Sequence, residues 1–226
     1  MSDQNQSGRT PFFAIVGPCP AIKRELYVNL QQCPELSGFR FVTDSGEHVG
    51  EHIDPITKTI TALGKNGSIT DDVSQIVQLL LFWTRLANII HRDVEPYLAQ
   101  GTPVIMIGFG GSVLAHAVAR AKTQRKRDAL HKLHLAIVEQ CVYGMGITPP
   151  EYLYCKIDDA SQRLVHHCSN NEIELRNIAF WNAFFQEYGK LPGQKVIQIS
   201  TSGTPQEVLE RTLEHILTEF QKFKLR

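Results

Sequence analysis

Short apolar runs alternate with longer amphipathic stretches along the chain. The short runs span five or six residues, are bounded by Gly, Pro or Ser, and are typical of buried strands; they lie at 12–16, 39–43, 103–107, 152–157 and 195–199. The longer stretches have apolar residues at helical spacing and lie at 21–32, 70–100, 112–122, 126–144, 160–167, 171–188 and 205–223. The stretch 70–100 is predicted to form one or two helices, broken near Pro96. Because strands and helices alternate, the pattern predicts an α/β fold with a parallel sheet of about five strands and helices on both faces.

The composition fits one folded domain. With 226 residues, of which 42% are hydrophobic, the chain can bury a sizeable core. We expect this domain to span 11–226, after a polar leader at 1–10 that we expect to be disordered. No run of about eighteen apolar residues appears and the first residues are polar, so we expect a cytoplasmic protein without a membrane segment.

Charge and cysteine content restrict the possible partners and compartments. The 23 basic residues are balanced by 23 acidic ones, so the chain has no global field for nucleic acid or an anionic membrane, and an anionic partner needs a local site. The basic run at 120–127 has no interleaved aromatic residues, which favours a solvated helix face over a nucleic-acid contact. The cysteines are odd in number, widely spaced and without a C-x-x-C pair, which favours reduced thiols: Cys19, Cys33, Cys141, Cys155 and Cys168.

One segment matches a metalloprotease pattern. The residues from His48 to His52 read H-x-x-E-H, in which two histidines on one helical face hold zinc. Gly50 lies inside the pattern and no third ligand is evident. We therefore assign no metal ligand and expect a solvent-facing helix start.

The middle of the chain resembles a known enzyme family. The sequence LLFWTRLAN at 80–88 is followed by VEPYLAQGTPVI at 94–105. This order resembles the thymidylate kinase family, in which an LLFxAxR-type helix precedes a KPAL-x-x-G turn and a VI-x-DR strand. The resemblance is strongest over 80–116 and extends more weakly over most of 12–222. It implies a P-loop-kinase-like doubly wound sheet, ATP and Mg²⁺ as cofactors, and a homodimer paired through helices that include 80–100.

The phosphate-binding loop of that family falls at 17–24. A working loop reads G-x-x-x-x-G-K-S/T, because bare N–H groups wrap the phosphates and the hydroxyl binds Mg²⁺. Gly17 and Lys23 match, but Ile22 replaces the second glycine, Arg24 replaces the hydroxyl residue, and two prolines remove N–H donors. Gly17, Lys23 and Arg24 are candidate phosphate-binding residues, against the alternative that they are ordinary residues at a helix start.

The other functional positions of the family are altered as well. Its Asp-Arg pair at the end of the third strand falls on Ile107 and Gly108. Neither side chain can coordinate a metal ion or stabilise the charge that develops during phosphoryl transfer. The arginine of its LLFxAxR helix falls on Leu86, one residue beyond Arg85. Phe82 matches the aromatic residue that stacks on thymine, although an aromatic at helical spacing is more often part of the core. Phe82 and Arg85 are thus candidate residues on the nucleoside side.

Two further positions depart from the family. The family's arginine that holds the acceptor phosphate falls near Asp44 of this sequence. The negative charge of Asp44 would repel a phosphate. The lid arginines have no clear counterpart at 166–171. No catalytic residue can be assigned.

A glycine-rich segment follows the third predicted strand. Gly108, Gly110, Gly111 and Ser112 lie between that strand and a predicted helix, so their N–H groups are candidates for an anion site at the edge of the sheet. A tight turn is the alternative.

The altered positions favour binding over catalysis. We expect a thymidylate-kinase-like protein that has lost phosphoryl transfer and acts by binding a nucleotide or another anion, or a protein partner. A homodimer through 80–100 would be favoured by an outward apolar face containing Trp83 or Ile90. The alternative is a divergent but active nucleoside monophosphate kinase of the dTMP type that uses ATP and Mg²⁺. The bound ligand and the partner cannot be read from the sequence.

Overall fold

The computed structural model describes residues 10–43, 72–121, 123–140, 150–157, 178–190 and 195–225. Residues 1–9 of the predicted leader, the H-x-x-E-H segment and the helix predicted at 160–167 lie outside these residues, as do Asp44 and the segment 166–171. The three cysteines described, Cys19, Cys33 and Cys155, are free thiols.

Five strands form one parallel sheet, as the alternation of elements predicts. The strands are β1 (Phe12–Val16), β2 (Arg40–Thr43), β3 (Val104–Ile107), β4 (Glu151–Lys156) and β5 (Lys195–Ser200). Their order in the sheet is β2-β3-β1-β4-β5, and all neighbouring pairs are parallel. The chain passes to β2 and β3 on one side of β1 and then to β4 and β5 on the other. The carboxyl ends of β1 and β3 therefore flank the switch point at which doubly wound sheets hold ligands.

The described residues form seven α-helices. These are α1 (Pro20–Gln31), α2 (Asp72–Ile89), α3 (Glu95–Ala99), α4 (Gly110–Arg120), α5 (Gln124–Val138), α6 (Ile178–Tyr188) and α7 (Pro205–Lys224). A π-helical turn at Ile90–Val94 joins α2 to α3. The predicted break near Pro96 is confirmed, and proline explains it because it supplies no N–H to the helical ladder. No helix of the described part is long and apolar enough to cross a membrane.

Two hydrophobic cores lie on opposite faces of the sheet. Every residue of β1 is buried, and its side chains alternate between the two cores: Phe12, Ala14 and Val16 on one face, Phe13 and Ile15 on the other. The first core is covered by α2, α4, α5 and α6, and the second by α1 and α7. Helices on both faces confirm the predicted class, and a continuous apolar run is what a strand buried on both faces requires.

The α2 helix turns its tryptophan inward. Trp83 is 2% exposed and Ile90 is fully buried, so both belong to the core. They cannot form the outward apolar face considered above for a homodimer.

Candidate functional site

A three-residue connection joins β1 to α1 where the family has its phosphate-binding loop. Gly17 lies against β4 so closely that a Cβ there would stand 2.9 Å from the carbonyl oxygen of Cys155. Helix α1 begins at Pro20, directly after Cys19 at its N-cap position. The predicted helix start at residue 21 is correct to within one residue.

The start of α1 at Pro20 places the second half of the predicted phosphate-binding loop inside a helix. Ile22, Lys23 and Arg24 occupy the first turns of the helix, and the backbone N–H of Lys23 donates to the carbonyl oxygen of Cys19 at 3.3 Å. In a P-loop the residues before the lysine wrap around the phosphates, so that their N–H groups face the ligand. Here the N–H of Lys23 is instead used inside the helix, and Pro20 has none.

Lys23 and Arg24 differ in their surroundings. Lys23 is half-buried and lies close enough to the end of β4 for its positive charge to lower the pKa of Cys155. Arg24 is exposed. Burial raises the pKa of the Cys155 thiol to about 12, and the positive charge of Lys23 only partly offsets this. Cys155 is therefore a neutral thiol of the core, and Lys23 is the candidate cation at this edge of the sheet.

The loop after β3 meets the end of β1. The backbone N–H of Gly108 donates to the carbonyl oxygen of Ile15 at 2.8 Å, and Gly108 has a φ of 78° that favours glycine. The structure thus brings the Gly17 connection and the Gly108 loop to neighbouring strand ends. Neither Ile107 nor Gly108 supplies a carboxylate or a guanidinium at this point.

Close packing explains the two glycines that begin α4. A Cβ at Gly110 would lie 2.2 Å from the indole of Trp83, and one at Gly111 would lie 3.1 Å from the ring of Tyr152. The five residues from Gly108 to Ser112 are buried. This packing accounts for Gly110, and in part for Gly111, whether or not an anion binds there.

Ser112 is the polar member of the same turn. The residue is 7% exposed, and its Oγ has no hydrogen-bond partner. Its backbone N–H donates to the carbonyl oxygen of Phe109 at 2.8 Å. The hydroxyl is therefore a buried group that the described contacts leave unsatisfied.

The candidate residues on the nucleoside side pair with each other. The guanidinium carbon of Arg85 lies 5.0 Å from the ring centroid of Phe82, one turn earlier on α2, and both side chains are half-buried. Leu86, at the position of the family's arginine, is 3% exposed and packs in the core. The structure thus places Phe82 and Arg85 together on α2.

A buried hydrogen-bond chain behind this edge was not predicted. Trp83 Nε1 donates to Nδ1 of His134 at 3.2 Å, and His134 Nε2 lies 3.1 Å from the Tyr188 hydroxyl. The Tyr188 and Tyr152 hydroxyls are 3.3 Å apart. An indole N–H can only donate, so Nδ1 accepts and the ring proton resides on Nε2. These hydrogen bonds link α2, α5, α6 and β4.

The imidazole of His134 is held neutral. Burial, and secondarily the charge of His131, lower the pKa of His134 to about 3. The four residues of this hydrogen-bond chain are far apart in sequence, and their spacing shows no pattern from which their contacts could have been predicted.

A groove lies between α1 and the loop that leads into α7. Ile22 and Leu26 form one wall and Pro205 and Val208 the other, with Glu25 at the side. The cavity volume is about 50 Å³, whereas ligand pockets usually hold about 300–1,000 Å³. The described residues alone therefore do not form a nucleoside-sized pocket here. No group of three His, Cys, Asp or Glu side chains among them is placed to hold a metal ion.

Comparison with solved structures identifies the fold. The thymidylate kinase from Candida albicans superposes with a TM-score of 0.65 at 18% identity, over 95% of this chain and 94% of that one. The thymidylate kinase from Ehrlichia chaffeensis gives a TM-score of 0.58 at 13% identity, over 92% of this chain and 98% of that one. No protein-family model and no curated protein sequence matches the chain. At these identities the similarity establishes architecture, and the chain has the fold of the thymidylate kinases.

Proposed function

We propose that the protein is a thymidylate-kinase-like protein that has lost phosphoryl transfer and acts in the cytoplasm by binding. The observation that carries this proposal is the start of α1 at Pro20, which puts Ile22, Lys23 and Arg24 inside a helix. Phosphoryl transfer depends almost entirely on positioning and charge stabilisation around the phosphates. A chain that forms no cradle at this position lacks the largest part of that machinery.

The end of β3 supports the same conclusion. The strand ends at Ile107 and is followed by Gly108, whose N–H donates to the carbonyl oxygen of Ile15 on β1. Neither residue can hold a metal ion or stabilise the charge that develops on a transferred phosphoryl group. Losing even one such group commonly costs a factor of about 10²–10³ in rate.

Binding of a nucleotide or another anion remains chemically feasible. Gly17, Lys23 and the loop from Gly108 to Ser112 lie at or near the carboxyl edge of the sheet, where doubly wound folds hold ligands. Lys23 supplies a positive charge there. A site of this kind needs no second glycine, Mg²⁺ or catalytic carboxylate, because it does not transfer the phosphate.

The second candidate is a divergent but active dTMP-type kinase that uses ATP and Mg²⁺. The observation in its favour is that Gly17 and Lys23 keep their spacing in the fold of thymidylate kinases. It would require the remaining charge to come from residues outside the described part or from Arg24 and Arg85. Turnover with ATP, Mg²⁺ and dTMP separates it from the binding function.

Thermal unfolding tests the binding function directly. A ligand that binds only the folded chain raises its Tm. We expect at least one of ATP–Mg²⁺, ADP, dTMP and inorganic phosphate to raise the Tm of the wild type. Arg24→Ala tests whether this candidate residue contacts the ligand: Arg24 is exposed, so its removal leaves the core intact, and a smaller rise in Tm would assign Arg24 to the site. If none of the four ligands changes the Tm, anion and nucleotide binding are ruled out and only a protein partner remains.

The protein-partner form of the proposal is a homodimer through α2. Trp83 and Ile90 are unavailable, but Ile76, Val77 and Leu80 of the same helix are 43–44% exposed and lie within about one turn of each other. Sedimentation of the wild type and of Leu80→Lys tests it. We expect a dimer that Leu80→Lys converts to monomer, and a monomeric wild type at micromolar concentration would contradict the homodimer.

A further inference from the structure

The N-terminal turn of α4 contains a hydroxyl group for which the chain supplies no partner. Ser112 is 7% exposed, and its Oγ has no donor or acceptor within range. Buried polar groups in folded proteins nearly always have a hydrogen-bond partner, because an unsatisfied one is destabilising. The hydroxyl of Ser112 therefore needs an explanation that the described protein contacts do not give.

The Cα–Cβ bond of Ser112 tilts toward the start of its own helix. In an α-helix every Cα–Cβ bond tilts toward the N-terminus, so the side chain of Ser112, the third residue of α4, lies over the first turn. That turn begins with Gly110 and Gly111, whose N–H groups precede the helical ladder. Phe109 at the N-cap position carries no acceptor to cap them, and the turn has no acidic residue.

The chemistry of this turn is that of an anion site. The start of an 11-residue helix carries the positive end of the helix dipole, and the N–H groups of its first turn and the Ser112 hydroxyl can all donate hydrogen bonds. The turn also follows β3 at the switch point of the sheet, where the Gly108 N–H reaches Ile15 at 2.8 Å. The start of α1 is less suited, because its first residue, Pro20, has no N–H.

We propose that the first turn of α4 binds one phosphate-class oxyanion through Ser112 Oγ and the N–H groups of Gly110 and Gly111. The anion is either inorganic phosphate or the phosphate group of a nucleotide. This inference rests on the proposed binding function and specifies where the ligand lies. The Trp83 indole lies against Gly110, so binding also changes the surroundings of this indole and its fluorescence.

The experiment measures the Tm of four proteins in phosphate-free buffer and with increasing inorganic phosphate or ADP. The proteins are the wild type, Ser112→Ala, Lys23→Ala and the matched control Ser202→Ala, whose serine lies in the loop before α7. Phosphate at ten times its Kd should raise the wild-type Tm by about 3–6 °C. Ser112→Ala should weaken phosphate binding about tenfold or more, whereas Ser202→Ala should respond like the wild type.

The phosphate-free measurement distinguishes ligand binding from a structural role. Ser112→Ala removes an unsatisfied buried hydroxyl, so its Tm without phosphate should equal or exceed that of the wild type. A lower Tm would show that the hydroxyl has a protein partner and would overturn the inference.

The remaining outcomes separate this inference from the proposed function. A phosphate or ADP response that Lys23→Ala abolishes and Ser112→Ala retains would place the anion at the start of α1; the inference would then fail while the binding function stands. A response to ADP alone that Ser112→Ala retains also overturns the inference. No response of the wild type to either ligand would overturn both the inference and the anion-binding function.

Discussion

Lowering the pH should destabilise the protein through one buried histidine. His134 is fully buried, and its pKa is lowered to about 3 because burial disfavours the charged ring. In the unfolded chain the same ring has a pKa of about 6.5. Below pH 6.5 the unfolded state therefore binds a proton that the folded state does not, and stability falls as the pH falls toward 3.

The size of the effect follows from proton linkage. Each pH unit below 6.5 costs about 1.4 kcal/mol while the folded ring stays neutral, so His134 alone should lower the free energy of unfolding by about 2 kcal/mol between pH 7 and pH 5. Protonation would also remove the acceptor for Trp83 Nε1, since both ring nitrogens then donate. Stability from this residue is thus present above about pH 6.5 and is lost progressively in more acidic solution.

Urea unfolding at pH 7, 6 and 5 measures the effect. Other groups titrate in the same range, so the comparison is between the wild type and His134→Gln, which can still donate and accept but does not titrate. His91→Gln is the matched control, because His91 is an exposed histidine paired with Glu95. We expect the pH dependence of the free energy of unfolding to be smaller in His134→Gln than in the wild type by about 2 kcal/mol. Equal pH dependence in wild type and His134→Gln would refute the reasoning.

Three further predictions concern packing, ion pairing and capping. Gly110→Ala should cost about 1–3 kcal/mol in urea unfolding, because its Cβ would meet the Trp83 indole at 2.2 Å, and adding Trp83→Phe should lessen that cost; strictly additive effects would contradict the contact. Lys195→Met should cost about 1 kcal/mol or less, since the half-exposed ammonium pairs with Glu151 at 2.8 Å and Glu219 at 3.0 Å. That cost should shrink in 1 M salt, and a salt-independent loss would point to packing instead. Thr204→Ala should cost about 1 kcal/mol by removing the capping box with Glu207 at the start of α7, and an unchanged unfolding midpoint would argue against the cap.

The sheet could be predicted from the sequence because its strands are buried on both faces. A run such as 12–16 is apolar throughout, and that continuity distinguishes a central parallel strand from an amphipathic helix. The structure leaves the strand predicted at 12–16 unchanged and moves the ends of the other four by at most one residue. The break near Pro96 could also be predicted, because the missing N–H is a local property of proline.

The site could be predicted only in part. The sequence places Gly17 and Gly108 directly after two predicted strands, and the structure shows that these strands are neighbours, with the Gly108 N–H bonded to Ile15. The sequence does not reveal that Trp83 packs on Gly110, because the two residues meet only when α2 and α4 pack on the sheet. For the same reason the sequence favours a tight turn over an anion site at the glycine-rich segment but does not exclude the anion site.

Transfer of the γ-phosphoryl group from ATP–Mg²⁺ to dTMP is the most direct measurement of whether the fold retains kinase chemistry. It should be followed at enzyme concentrations above that of dTMP, so that even one slow turnover is visible, with Lys23→Ala as the matched variant. The account predicts no dTDP above the amount formed by Lys23→Ala, because α1 begins at Pro20 and, in the proposed function, a helix at this position cannot wrap the phosphates. Formation of dTDP by the wild type that Lys23→Ala abolishes would contradict the account and establish a divergent but active kinase.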